Sequence, residues 1–189
     1  MDDDLTKLLD RVGSGDARAR EDLVERVYDR LRAMAGRQLG GSAAHTLHAT
    51  ALVHDAYAKL FGGRDPSFEG RHHFFGAAAS AMRQAAVEHA RQRLAQKRGG
   101  HWHRVTLTGL DVAGGDEVDT LGLDAALTEL ANLHPRQARI VELRFFAGLT
   151  VAEAADALGV SPRTVELDWR TARAWLRSRL SEGDAGDAE

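Results

Sequence analysis

The chain has 189 residues, with 25 Lys and Arg against 28 Asp and Glu, a formal net charge of −3, and 43% hydrophobic residues. That length holds one domain or two small ones, the apolar content is that of a globular protein rather than a disordered one, and no run of ~18 apolar residues offers a membrane span. Cysteine is absent, which excludes disulfides, a thiol nucleophile and cysteine-ligated zinc, and the acidic start Met1-Asp2-Asp3-Asp4 differs from a basic secretory leader, so the chain is expected to be cytoplasmic.

Nearly every segment carries helical periodicity. Leu5, Leu8, Leu9 and Val12 form a first apolar stripe, broken at Gly13-Ser14-Gly15, with Asp16 as N-cap of the next helix. Leu23, Val27, Leu31 and Met34 form a second stripe that stops at Gly40-Gly41, and Val53, Ala56, Tyr57, Leu60 and Phe61 a third that stops at Gly62-Gly63. A longer helix carries Phe75, Ala78, Met82, Ala85 and His89 and is expected to run to about Arg98. Val105 to Thr108 is strand-like but too short to build a sheet. A stripe from Leu123 to Leu133 precedes a helix that has Pro135 in its first turn and ends near Gly148. Thr150 caps a short helix ending at Leu158-Gly159, and Ser161, with Pro162 at the first position, caps another reaching about Leu180. The expected fold is all-α: residues 1–100 and 123–182 as two small helical domains, 101–122 as a flexible linker and 183–189 as a disordered tail.

Charge is uneven along this chain. From Arg71 to Arg104 there are seven Lys and Arg against the single acid Glu88, and five further arginines lie between Arg163 and Arg179. Two basic stripes therefore sit inside an acidic average, and the complementary halves are able to pack on each other.

The segment TVAEAADALGVSPRTVELDWRTARAWL, Thr150 to Leu176, has the form of a helix-turn-helix. Ala155 is small where two helices cross, Gly159 permits a left-handed turn, and Val160 fills the wedge between them. Val165, Trp169, Ala172 and Leu176 share one face, directed at the core. The other face holds Arg163, Thr164, Glu166, Leu167 and Arg170 on the N-terminal half of the second helix, the part that enters a major groove. There Arg reads guanine and Glu accepts from cytosine. Ser161 opens this face, and Arg173 and Arg177 are placed for phosphates.

With LVHDAYAKLF (Leu52 to Phe61) and FFGAAASAMRQAAVEHARQRLAQKRGG (Phe74 to Gly100) upstream of that motif, the chain resembles a bacterial RNA polymerase sigma factor of the extracytoplasmic-function group, from about Leu5 to Leu180. The resemblance implies sigma domain two in 1–100 and sigma domain four in 123–182. It implies core RNA polymerase as partner, through the beta-prime clamp helices and the beta flap, together with promoter DNA. Leu52, Val53, Asp55, Ala56, Lys59 and Leu60 would be the polymerase-binding residues. The long helix would melt and read the minus-ten element, with Phe74 stacking on an unpaired base, Gln84 at the base-reading position, and Arg83, Arg91 and Arg93 on phosphates. The helix-turn-helix would read the minus-thirty-five element.

Two departures stand out. Gln84 replaces the Asn that the family often carries. His48-Ala49-Thr50-Ala51 replaces a run of acids that would meet basic side chains on the polymerase clamp, leaving Asp55 alone. Phosphorylation of Thr50 would restore about −1.5 to −2 charge there, with Thr46 a second candidate, so a Ser/Thr kinase or an anti-sigma factor is a candidate regulator. No enzyme signature is present: the histidine pairs lack the partners of a tetrahedral metal site, no phosphate-binding loop or nucleophile motif occurs, and no cofactor is implied. The alternative reading is a stand-alone helix-turn-helix regulator, which would bind its operator duplex without polymerase.

Overall fold

The computed structural model describes residues 7–9, 11, 12, 14–16, 18, 19, 21–23, 25, 26, 28, 29, 32, 43–61, 68, 70–96, 104–106 and 117–186, with only the backbone described at 43–49, 93, 94, 96, 104–106, 117–119 and 182–186. Near the start, Leu8, Leu9 and Val12 are helical and buried. Gly15 then turns the chain at φ +87°, a value that favours glycine. Asp16 Oδ1 accepts from the N–H groups of Arg18 at 3.0 Å and Ala19 at 3.2 Å, which is the expected N-cap.

Helix α1 spans Ala43–Phe61 and α2 spans Arg71–Gln96. Alanines at 78, 79, 81, 85 and 90 favour helix in α2 and let neighbours approach closely, and all five are buried. Leu52, Val53 and Ala56 of α1 are buried in the same apolar cluster as Phe74, Phe75 and Met82 of α2. Phe68 joins the two helices, with its ring 6.2 Å from Phe61 and 5.1 Å from Phe74, both edge to face. On the rim, Lys59 Nζ donates to Glu88 at 2.8 Å, and Asp55 meets His89 Nε2 at 2.7 Å.

The second half is built from α3 (Thr120–Leu133), α4 (Pro135–Val141), a π-helical turn (Glu142–Phe146), α5 (Val151–Leu158) and α6 (Pro162–Gly186). Leu123, Leu127, Leu130, Ile140, Leu143 and Leu176 are its fully buried large side chains. The π turn carries the i→i+5 bond from Ala147 N–H to the Glu142 carbonyl, 3.2 Å.

The architecture is all-α, as expected, and three local expectations are corrected. The strand-like segment does pair: β1 (Arg104–Thr106) runs antiparallel to β2 (Glu117–Asp119), with Val105 opposite Val118. Backbone partners from both ends of the expected linker make this ladder possible despite its short strands, so the described parts of that linker are not free coil. α3 begins at Thr120, inside the expected linker. Finally, α6 continues to Gly186, taking in the first four residues of the tail expected at 183–189, because no proline interrupts its backbone bonding.

The two halves meet. α2 packs against α3, the π turn and α5, and the buried residues of both halves belong to one apolar cluster.

Candidate nucleic-acid interface

Local chemistry builds the helix-turn-helix. Thr150 accepts from Glu153 N–H at 3.2 Å, while Glu153 Oε2 accepts from Thr150 N–H at 2.7 Å, a reciprocal capping box. Gly159 lies in the left-handed region at φ +64° and ψ +32°. Its N–H reaches the Asp156 carbonyl at 3.2 Å, and the Val160 N–H reaches the Ala155 carbonyl at 3.0 Å. These two bonds terminate α5 in a Schellman turn. Ser161 Oγ then accepts from Thr164 N–H at 3.1 Å, and Pro162 occupies the first turn of α6.

One face of α6 is spent on the core. Val165, Trp169, Ala172 and Leu176 are buried at the predicted spacing. The Arg144 guanidinium lies 4.4 Å above the Trp169 ring. Asp168 accepts from Arg136 Nε at 2.6 Å, which holds the Arg136 guanidinium above its ordinary pKa, and Arg179 Nε donates to Glu129 of α3 at 2.8 Å. The orientation of α6 is thus set by packing below and by ion pairs at its sides.

The outward face is open. Ser161, Arg163, Glu166, Leu167 and Arg170 are exposed, and Thr164 is half-buried behind its bond to Ser161. Leu167, at 49%, is one of two large apolar side chains exposed among the described residues. The face therefore offers two guanidinium forks, one carboxylate and one apolar contact to a groove. Farther along, Arg177 is exposed and Arg173 half-buried.

On α2 the predicted residues divide. Gln84 and Arg91 are exposed. The side chain of Arg93 lies outside the described residues. Phe74 is only 2% exposed; the expectation of a ring available for base stacking is corrected, because the ring is held edge to face by Phe68 and packs beside Phe75. Arg83, expected on a phosphate, is half-buried and turned toward the second half of the chain. Its Nε donates to Asp124 at 2.7 Å and its Nη1 to Glu142 at 2.8 Å, while its Nη2 donates to the Asp124 carbonyl at 2.9 Å and Thr128 Oγ1 at 2.8 Å.

On α1, Leu52, Val53 and Ala56 are corrected from partner-facing to core residues, since their apolar stripe is what fastens α1 to α2. Thr50, Ala51, His54, Ala58 and Lys59 form the exposed side, with Asp55 and Leu60 half-buried. Thr50, His54 and Ala58 follow at four-residue spacing and share one face. The side chain of Thr46 lies outside the described residues.

The acids around Arg83 were missed by sequence reasoning. Asp124 and Glu142 stand 18 positions apart in a region whose only signal was a diffuse acidic excess. No helix among the described residues is long and apolar enough to cross a membrane.

Fold and site together define the class: an all-α protein with a C-terminal helix-turn-helix. A family model described as ECF sigma factor matches residues 2–182, nearly the whole chain, and the chain belongs to that family of non-enzymatic initiation factors. It is a sigma subunit that directs RNA polymerase to promoters, binding the polymerase core and promoter DNA. No curated protein matches it.

Proposed function

We propose that the chain divides its work as 1–100, 101–122 and 123–182: polymerase docking with minus-ten capture, connection, and minus-thirty-five reading. The outward face of α6 carries the last of these. Arg163, Thr164, Glu166 and Arg170 meet base edges, while Arg173 and Arg177 meet phosphates. Gln84, Arg91 and Arg93 of α2 serve the single-stranded minus-ten element. The exposed face of α1, through Asp55 and Lys59, docks on the beta-prime clamp helices, and the beta flap holds the second half.

Docking is proposed to depend on phosphorylation of Thr50. The observation that supports this is its place on α1: exposed, and on the same face as His54 and Ala58. That face lacks the acids that would meet a basic clamp. A phosphate there adds about −1.5 to −2 charge and three acceptor oxygens, enough to engage Arg or Lys directly. The regulator is thus a Ser/Thr kinase, and an anti-sigma factor is the other kind of control compatible with the family. The test compares core-polymerase binding and run-off transcription for wild type, Thr50→Ala and Thr50→Glu, with and without kinase. Expected are gain by treated wild type, partial gain by Thr50→Glu and none by Thr50→Ala. Equal binding in every arm overturns the proposal.

A further inference from the structure

The outward face of α6 holds one residue that its charge does not explain. Arg163, Glu166 and Arg170 are at home in water, so their exposure asks for no partner. Leu167 is different: it is 49% exposed in the second turn of α6, and the other large apolar side chain exposed among the described residues is Leu133, at the end of α3. The core does not use it, because Val165, Trp169, Ala172 and Leu176 already fill the inward stripe.

A single exposed leucine is ordinary on a protein surface; the place of this one is not. It stands one helical turn after Arg163 and three residues before Arg170, so the three share a face. That face belongs to the N-terminal half of the helix, the part a helix-turn-helix sets into the major groove. Polar groups beside Leu167 are directed elsewhere. Asp168, only 13% exposed, is turned to Arg136. Thr171, one turn on, donates its hydroxyl hydrogen to the Leu167 carbonyl at 3.1 Å. Between the two guanidinium groups the helix therefore presents branched hydrocarbon.

The edges of the base pairs in a major groove are almost wholly polar, and the apolar group among them is the C5 methyl of thymine. Against any other base edge, an isobutyl side chain covers donors and acceptors that it cannot bond, and their lost hydration is a cost. Against a thymine methyl, both surfaces leave water at a gain. One side chain thus favours one base and penalises the rest.

We infer that Leu167 is a specificity-determining residue that reads thymine, through its C5 methyl group, in the minus-thirty-five element, beside the contacts of Arg163 and Arg170. This deepens the proposed role of α6 and rests on it.

The test removes one methyl group from the DNA. Core polymerase saturated with the full chain selects promoters from a library randomised across the minus-thirty-five window. Each thymine favoured in the selected duplex is then replaced singly by deoxyuridine, which keeps every hydrogen-bonding group and lacks only the methyl. Expected is one position where the replacement weakens holoenzyme binding about fourfold, roughly the worth of one buried methyl group, with wild type but not with Leu167→Ala. Selection by Leu167→Ala should lose the thymine preference at that position and keep the others. Position 167 is exposed and alanine is the best helix former, so the thermal midpoint should stay with wild type; the deoxyuridine series itself needs no variant. A selected element that favours no thymine, or deoxyuridine tolerated at every position, overturns the inference. So does a Leu167→Ala chain that binds core polymerase more weakly with base selection unaltered, which makes Leu167 a protein contact. Arg163→Ala separates the two readings. If neither Arg163→Ala nor Leu167→Ala alters selection, the proposed reading of the element by α6 fails as well; if Arg163→Ala alone relaxes it, only the role of Leu167 fails.

Discussion

Helices α2 and α6 both carry a basic stripe, yet they present it differently. On α6 the apolar residues occupy one face, and Arg163 and Arg170 reach solvent opposite it. On α2 burial runs nearly around the helix: Phe74, Ala78, Met82 and Ala85 are covered, and so are Ala81 and Val87. That helix is packed on both sides, and Arg83 is drawn into the second contact. A run of arginines on a helix therefore does not locate a nucleic-acid surface by itself. The number of packed faces decides which of them remain available.

The comparison breaks most visibly at Trp169. Trp169→Ala empties a buried site beneath the open face and should destabilise the chain by ~3–5 kcal/mol, read as a lowered thermal midpoint, with loss of promoter binding following from the disturbed helix. The arginines sharpen it next. Arg163→Ala should leave the thermal midpoint unmoved and weaken holoenzyme binding to promoter duplex by about 1–3 kcal/mol, with relaxed preference at the contacted base pair. Arg83→Ala should do the reverse in the free chain, leaving two largely covered carboxylates without their cation and lowering stability by ~1–3 kcal/mol. A promoter-binding defect in Arg163→Ala equalled by an equal loss of stability would erase the contrast between the helices.

Smaller effects follow at the helix ends. Thr150→Ala removes one side of the capping box and should cost ~1 kcal/mol in chemical denaturation, with Thr150→Ser close to wild type. Smallest is the pH response of Asp16. Its hydrogen bond from Arg11 and the N–H groups it caps hold its carboxyl below the ordinary value of 3.8. A depressed folded pKa means that the stabilisation is complete above the unfolded value and fades as pH falls below 3.8 through the folded one. An NMR titration of the Asp16 carboxyl should therefore show a midpoint under that of an unfolded-chain Asp, and Asp16→Asn should remove this part of the acid sensitivity.

Much of the helix-turn-helix was legible because its determinants are local. Gly159 sits where a left-handed residue ends α5, Ser161-Pro162 starts the next helix, and the spacing of Val165, Trp169, Ala172 and Leu176 states which face is inward. Asp16 was readable for the same reason. Leu52, Val53 and Ala56 showed how far periodicity reaches: it identified an apolar stripe, but which surface covers a stripe is settled by tertiary packing, here α2. Arg83 was misplaced for a related reason. Its partners come from α3 and the π turn, and nothing near it in the chain announces Asp124 or Glu142. The ladder between β1 and β2 was hidden because three-residue strands carry too little pattern until their partner is known.

That ladder has a consequence for dosage. By pinning Arg104–Thr106 to Glu117–Asp119, it brings position 104 beside position 119, so the residues between the two strands add no reach to the tether that joins the halves. Partners joined by a short tether meet at effective concentrations on the order of millimolar. The contacts between α2 and the second half are intramolecular, so diluting the protein leaves them where they were.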